Sequence, residues 1–237
     1  MFGFALDTLE KPQIIAFIEN VKNLENNKTN IGYRELRLIN IENPSLLKSE
    51  IEKSIKTYDN QGFISLLNSD NSLVCSTFIS NIKIIKSQKN NMTLSGYVWH
   101  QPKGYYKVWK MKIDDQINSK NIWRNLKRDE LQGWLVFALN NLKTSSSKKN
   151  IQINIDGNDF NNLNEFFCVL GEEVNGIAGY FGRNICALYD CLWDNSGDHS
   201  IEKLIWKNHE KSKKLFKTKF NQILEIFQEF NVTIILK

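Results

Sequence analysis

Asp190 stands inside GYFGRNICALYDCLWD, Gly179–Asp194, a run crowded with aromatic and aliphatic residues. Wound as a helix at about 100° per residue, Phe181, Ile185, Leu188, Tyr189 and Leu192 gather into one apolar stripe, while Arg183, Asp190 and Asp194 point the other way. Cys186 and Trp193 fall on the flank beside Asp190, so the outward side offers a carboxylate bordered by a thiol and an indole. A carboxylate so placed can accept hydrogen bonds from Arg, Lys or His of a partner, which is recognition chemistry rather than bond making. The plain alternative is a solvated acid on an ordinary amphipathic helix.

Other groups able to do chemistry are few. His100, His199 and His209 lie in no nucleophile, metal or paired-carboxylate arrangement, and the adjacent acids Asp114 and Asp115 suit a turn. Gly176 and Gly179 precede the helix without a phosphate-loop lysine, so they read as loop flexibility. Cys75, Cys168, Cys186 and Cys191 show neither CxxC spacing nor a nearby His pair, which argues against a metal and for reduced thiols. The expectation is a binding protein with no catalytic residues, no metal and no cofactor.

The elements around the helix alternate. IQINI at Ile151–Ile155 is strand-like, and Asn162 with Glu165 resembles a capping box ahead of Leu163, Phe166, Phe167, Leu170 and Val174. After the quoted helix come the apolar run KLIW, a basic helical stretch, a helix through Phe220, Ile223, Leu224 and Phe227, and a terminal VTIIL. Strands separated by helices imply a small parallel sheet.

Upstream, the pattern predicts a helix near Thr8–Leu24, a strand at Tyr33–Ile41, and a helix capped by Asn43-Pro44 that carries Leu47, Ile51, Ile55 and Tyr58. FISLL, LVCSTFI, IKII, MTLSGYVW and YKVWKMKI, punctuated by NSDN, QKNN and QPKG, read as a meander of hairpins, and Leu126–Leu142 as a helix. The fold class is α/β in the C-terminal part, preceded by an α+β domain with a β-meander. The serine-rich, basic LKTSSSKKN marks a boundary, giving an N-terminal domain at 1–143, a polar linker at 144–150 and a C-terminal domain at 151–237.

Charge follows that division. Residues 1–150 hold 22 Lys+Arg and 14 Asp+Glu, residues 151–237 hold 9 and 12, and Ile155–Glu202 alone has nine acids and one base. An acidic patch suits a basic partner. GYVWHQPKGYYKVWKMK interleaves Tyr97, Trp99, Tyr105, Tyr106 and Trp109 with lysines, a composition that can bind nucleic acid, but a hairpin with core aromatics and solvated lysines is the preferred reading. Nucleic acid is therefore not the expected partner. No run is long and apolar enough to span a bilayer, and MFGFALDTLEKP does not read as a signal peptide, so a cytoplasmic protein without membrane association is expected.

INIDG, GYFGRNICALYDCL, LIWKNHEKSKKL, ILEIFQEF and VTIIL, in that order and spacing, resemble the barstar family of intracellular ribonuclease inhibitors over about residues 151–237. The resemblance implies three parallel strands with helices packed around them, and a binding face on the quoted helix and the loop before it. It places the family's dominant aspartate on Asp190, an aromatic loop residue on Tyr180, a helix aromatic on Tyr189 and a peripheral acid on Glu229, with Gly182 and Asn184 at the loop-to-helix junction. Cys186 stands where the family has a second acid one turn before the aspartate, and Arg183 replaces an acid at the start of the helix.

The implied role is that of an immunity protein or antitoxin whose Asp190 mimics a phosphate in the cationic site of a toxin nuclease, with Tyr180, Tyr189 and Trp193 around it. The changes at Cys186 and Arg183 imply a nuclease other than barnase. The N-terminal domain could widen the toxin interface, mediate homo-oligomerisation or serve another partner. The competing reading is a nucleic-acid-binding regulator that uses the barstar-like half as a protein-interaction module.

Overall fold

The computed structural model describes residues 1–7, 13–57, 60–142, 150–194 and 201–237, and these divide into two compact units, Met1–Trp109 and Lys110–Lys237. In the first unit six strands, β1 (Phe2–Leu6), β2 (Ile14–Lys22), β3 (Gly32–Ile41), β4 (Gly62–Leu67), β5 (Leu73–Gln88) and β6 (Asn91–Val98), close into a barrel in the order β1-β2-β3-β6-β5-β4. Every pairing is antiparallel. Two three-stranded meanders are joined by helix α1 (Pro44–Lys56), and the β1–β4 pairing shuts the seam so that no edge is left unpaired.

Period-two alternation fills the interior. Phe2 faces Leu66 and Leu66 faces Cys75, Phe4 faces Ile64 and Ile64 faces Thr77, and Leu36 faces Leu94, all buried. Burial pushes the Cys75 thiol up to about 12, which makes it a small apolar filler rather than a nucleophile.

Several expectations change here. The helix expected near Thr8–Leu24 is strand β2 where it is described, and its first residues, Thr8–Pro12, lie outside the described residues. Its run IIAFIENV is rich in β-branched residues and is clamped between β1 and β3, so pairing overrides the apparent helical spacing. Asn43 does not cap α1 through its side chain; it takes a left-handed conformation (φ 54°), and Pro44 alone acts as the expected start signal. Tyr58 lies outside the described residues. LVCSTFI and IKII form one sixteen-residue strand, β5, rather than two.

YKVWKMKI is not a strand. Tyr105–Ile113 forms helix α2, because Glu25 reaches across the unit and accepts from the backbone N–H groups of Gly104 (3.1 Å) and Tyr106 (2.9 Å), capping the first turn with a carboxylate. Tyr106 then inserts into the core, its hydroxyl bonded to Thr77 and its ring 5.5 Å from Phe2.

In the second unit β7 (Ile151–Asp156), β8 (Ile201–Lys207) and β9 (Thr233–Leu236) form a three-stranded parallel sheet in that order. The apolar run KLIW is the middle of β8. Helices α4 (Leu163–Asn175) and α5 (Ile185–Asp194) connect β7 to β8, and α6 (His209–Phe216) and α7 (Thr218–Glu229) connect β8 to β9. Phe166 stacks on Trp206 at 5.3 Å and Phe160 on Phe216 at 5.5 Å, and the Trp206 indole donates to Ser212 Oγ at 3.0 Å, so the core around the sheet is aromatic and the polar edge of Trp206 is satisfied. Asn162 caps α4 as expected, its side chain accepting from Glu165 N at 3.1 Å.

The helix expected at Leu126–Leu142 is α3 (Leu131–Asn140), preceded by 3-10 turns at Ile122–Asn125 and Arg128–Glu130. It packs on α4 and falls in the second compact unit, whereas the sequence put it with the first. Of the linker expected at 144–150, only Asn150 is described. Divided at Trp109, the first unit has 13 Lys+Arg and 10 Asp+Glu and the second 18 and 16, so the two compact units do not differ in sign as the two halves do. Within α3, Trp134, Leu135 and Phe137 are fully buried. A fragment beginning at Lys110 should therefore unfold cooperatively at a higher urea midpoint than one beginning at Asn150, which lacks the α3 cover on α4; equal midpoints in circular-dichroism melts would contradict the assignment.

Candidate functional site

The loop before α5 is built from close backbone approaches. A Cβ on Gly171 would lie 2.3 Å from the Gly179 carbonyl oxygen, and Asn175 Nδ2 donates to the Tyr180 carbonyl at 2.7 Å, so α4 holds the loop directly. Gly182 then turns the chain at φ +93°, with Leu188 N only 3.0 Å from where its Cβ would be. Asn184 caps α5: its Oδ1 accepts from Ala187 N at 2.8 Å and its carbonyl from Leu188 N at 3.0 Å. Gly182 and Asn184 are thus residues that aim the helix.

Leu188 and Leu192 are buried, Ile185 and Tyr189 are partly covered, and Phe181, just ahead of the helix, is buried too. On the far side Asp190 and Cys186 are exposed and Trp193 is 63% exposed. The Asp190 carboxylate makes no hydrogen bond or ion pair with another described residue. Arg183 is half-buried, its carbonyl accepting from Gln132 Nε2 at 3.3 Å.

The two tyrosines play different parts. Tyr180 is buried, so it supports the face from beneath rather than ringing it; burial pushes its phenol up to about 12, with Cys191 and Asp190 adding to the shift and Arg183 opposing it. Tyr189 ties α5 to α7, its hydroxyl donating to Glu229 Oε1 at 3.0 Å and its ring meeting Phe230 edge-on at 5.2 Å. The bond to Glu229 holds the Tyr189 phenol above its ordinary value. Asp190, Cys186 and Trp193 therefore share the outward surface, Tyr189 and Glu229 form a pair beside it, and Tyr180, Gly182 and Asn184 lie in its foundation.

Sequence reasoning missed Glu172. It is buried on α4, and its Oε2 accepts from the Asn121 N–H at 2.8 Å and the Trp123 indole at 3.2 Å, while neighbouring Glu173 pairs with Lys120 at 3.0 Å. The available signal was an acid on the apolar face of a helix, in register with Cys168 and Val169. Burial pushes its carboxyl above the usual range, against the pull of the Asn121 and Trp123 bonds.

A three-stranded parallel sheet with an acid presented on the helix after a close-packed loop makes a small α/β domain. Among the described residues no three His, Cys, Asp or Glu side chains are placed to hold a metal ion, and no helix is long and apolar enough to cross a membrane. Residues 150–234 match the family model described as Barstar (barnase inhibitor), so this part of the chain is barstar-like. A comparison with curated proteins finds no match for the chain.

Because the folded Glu172 value lies above the unfolded one, the stability it contributes is present below the ordinary value of 4.5 and lost as the pH rises through the folded value. Asp156, lowered by its bonds from Asn158 and Asn208, acts in the opposite direction and only below 3.8. The unfolding free energy of wild type minus that of Glu172→Gln should fall as pH is raised from about 4.5, measured by urea titration at a series of pH values; a value that rises with pH would contradict it.

Proposed function

We propose that this protein is an immunity protein, or antitoxin, whose barstar-like domain occupies the active site of a toxin nuclease in the cytoplasm. The observation that carries this reading is Asp190: an exposed carboxylate with no partner of its own among the described residues, on a helix whose start and flank are both tied down. A ribonuclease site holds a phosphodiester with cationic side chains, and a fixed carboxylate can take the phosphate position and accept their hydrogen bonds. Trp193 and the exposed part of Tyr189 supply apolar contact beside the charge, and the acids between Ile155 and Glu202 speed encounter with a basic enzyme. Inhibition here is occupation of a site and asks no catalysis of this chain.

Cys186 lies one turn before Asp190 on the same exposed side, and Arg183 stands at the start of the helix. Both positions offer no negative charge, so the cognate nuclease carries fewer cations opposite them than barnase does, or an acid facing Arg183. Wild-type protein should retain from its source extract a nuclease that Asp190→Ala does not, and isothermal titration with that nuclease should show the variant weaker by about 10²- to 4 × 10³-fold, since breaking a buried charge pair costs roughly 3–5 kcal/mol. Unchanged affinity with Asp190→Ala would sink the assignment of this residue.

A further inference from the structure

The outer face of the barrel carries two ordered rows of side chains that the toxin-binding domain does not account for. In the pairing register, residues directly opposite share a face. Tyr33 faces Tyr97 across β3 and β6, with ring centroids 5.4 Å apart, and Trp99 lies 5.1 Å from Phe78 on β5. Tyr33, Tyr97 and Trp99 are 52%, 47% and 52% exposed, so three large aromatics on adjoining positions present their rings to solvent. Single exposed aromatics are ordinary; a contiguous set spread across neighbouring strands is a surface for something to lie on.

Alongside runs a row of cations. Lys22 on β2 faces Arg37 on β3, Arg37 faces Thr93 on β6, and Thr93 faces Lys86 on β5, while Lys83 sits opposite Ser95 in the row between these and the tyrosines. All four cations are exposed, and none makes an ion pair with another described residue. Glu35, facing Ser95, is the acid in that intermediate row. Lysine directly opposite arginine is a like-charge pair that costs the sheet stability, so the row is better explained by an anionic ligand than by the fold. Rows two residues apart along a strand are about 7 Å apart, which places the cations within one or two such steps of the aromatic rings.

We infer that this face of the barrel binds single-stranded nucleic acid, the aromatic row stacking bases and the Lys22–Arg37–Lys86 row following the phosphates. A chain that offers flat π faces and regularly spaced negative charge matches both rows at once. An acidic protein would satisfy the cations and leave the ring row unused, and a duplex would hide its base faces.

The full chain should therefore bind a fluorescein-labelled single-stranded oligouridylate of about 12 nucleotides in anisotropy titrations, more tightly than a duplex of equal length, with affinity falling between about 50 and 200 mM salt. Trp99→Ala should weaken binding at least about fivefold and Tyr97→Ala likewise, with Trp99→Phe keeping most of it, and Lys22→Ala with Lys86→Ala should lower the slope of log affinity against log salt by roughly 0.7 per lysine. Circular dichroism confirms that each variant is folded. The proposal is overturned by absence of binding at low salt, by equal affinity for duplex, or by losses that follow Lys213→Ala and Lys214→Ala on the basic helix α6 and not the aromatic row.

Discussion

The carboxylate of Glu172 holds together the ground on which the proposed inhibitor face stands. It is buried on α4, and its bonds from Asn121 and Trp123 fasten the stretch ahead of α3 to the helix that also grips the loop leading into α5. A buried charge is costly unless its hydrogen bonds are met, so such a group is retained where it fixes a geometry. One residue earlier on α4, Gly171 touches Gly179 so closely that no side chain fits at either position, which sets the height of the loop from which Asp190 is aimed. Glu172 and Asp190 thus use one chemical group in opposite ways. The first is bonded inside the domain through Oε2 while its buried Oε1 finds no partner, and the second is exposed and makes no bond with another described residue.

That contrast bears on what the barstar-like domain needs from the rest of the chain. The family match begins at residue 150, yet the compact unit begins at Lys110, and α3 with its preceding turns is joined to α4 by the Glu172 bonds, by Lys120–Glu173, and by Gln132 with Asn164 at 2.8 Å. Gln132 also donates to the Arg183 carbonyl, just ahead of α5. The added segment therefore touches the scaffold of the site, and it offers a physical route by which a family domain acquires a differently set face.

The C-terminal half was legible because its signals are local and agree with one another. The Asn162–Glu165 box, the apolar stripe opposite Asp190 and the alternation of strand with helix all point to one arrangement. The first unit was harder because its decisive interactions are distant in sequence. Tyr105–Ile113 is helical on account of Glu25, about eighty residues earlier, and Ile14–Lys22 is a strand on account of partners on both sides. Barrel closure between β1 and β4 carries no local mark at all. Burial of Tyr180 was equally hidden, since its neighbours Gly179 and Phe181 read the same whether the ring faces inward or out.

The fixation of α5 has an energetic meaning for binding. Affinity is reduced by every side chain and loop that must be ordered on association. Here the helix is capped by Asn184, its preceding loop is held by Asn175, and Tyr189 is already bonded to Glu229 and packed on Phe230. Asp190 has few torsions left to fix, so most of the attraction of a cationic site for it appears as binding free energy. The same reasoning separates Tyr189 from Trp193. Tyr189 is held in place before any partner arrives, whereas the largely exposed Trp193 must be desolvated by one. On the proposed reading, a helix prepared in this way tolerates neutral Cys186 and cationic Arg183, because the contact assigned to Asp190 depends on geometry set from behind the helix rather than on the summed charge of the face.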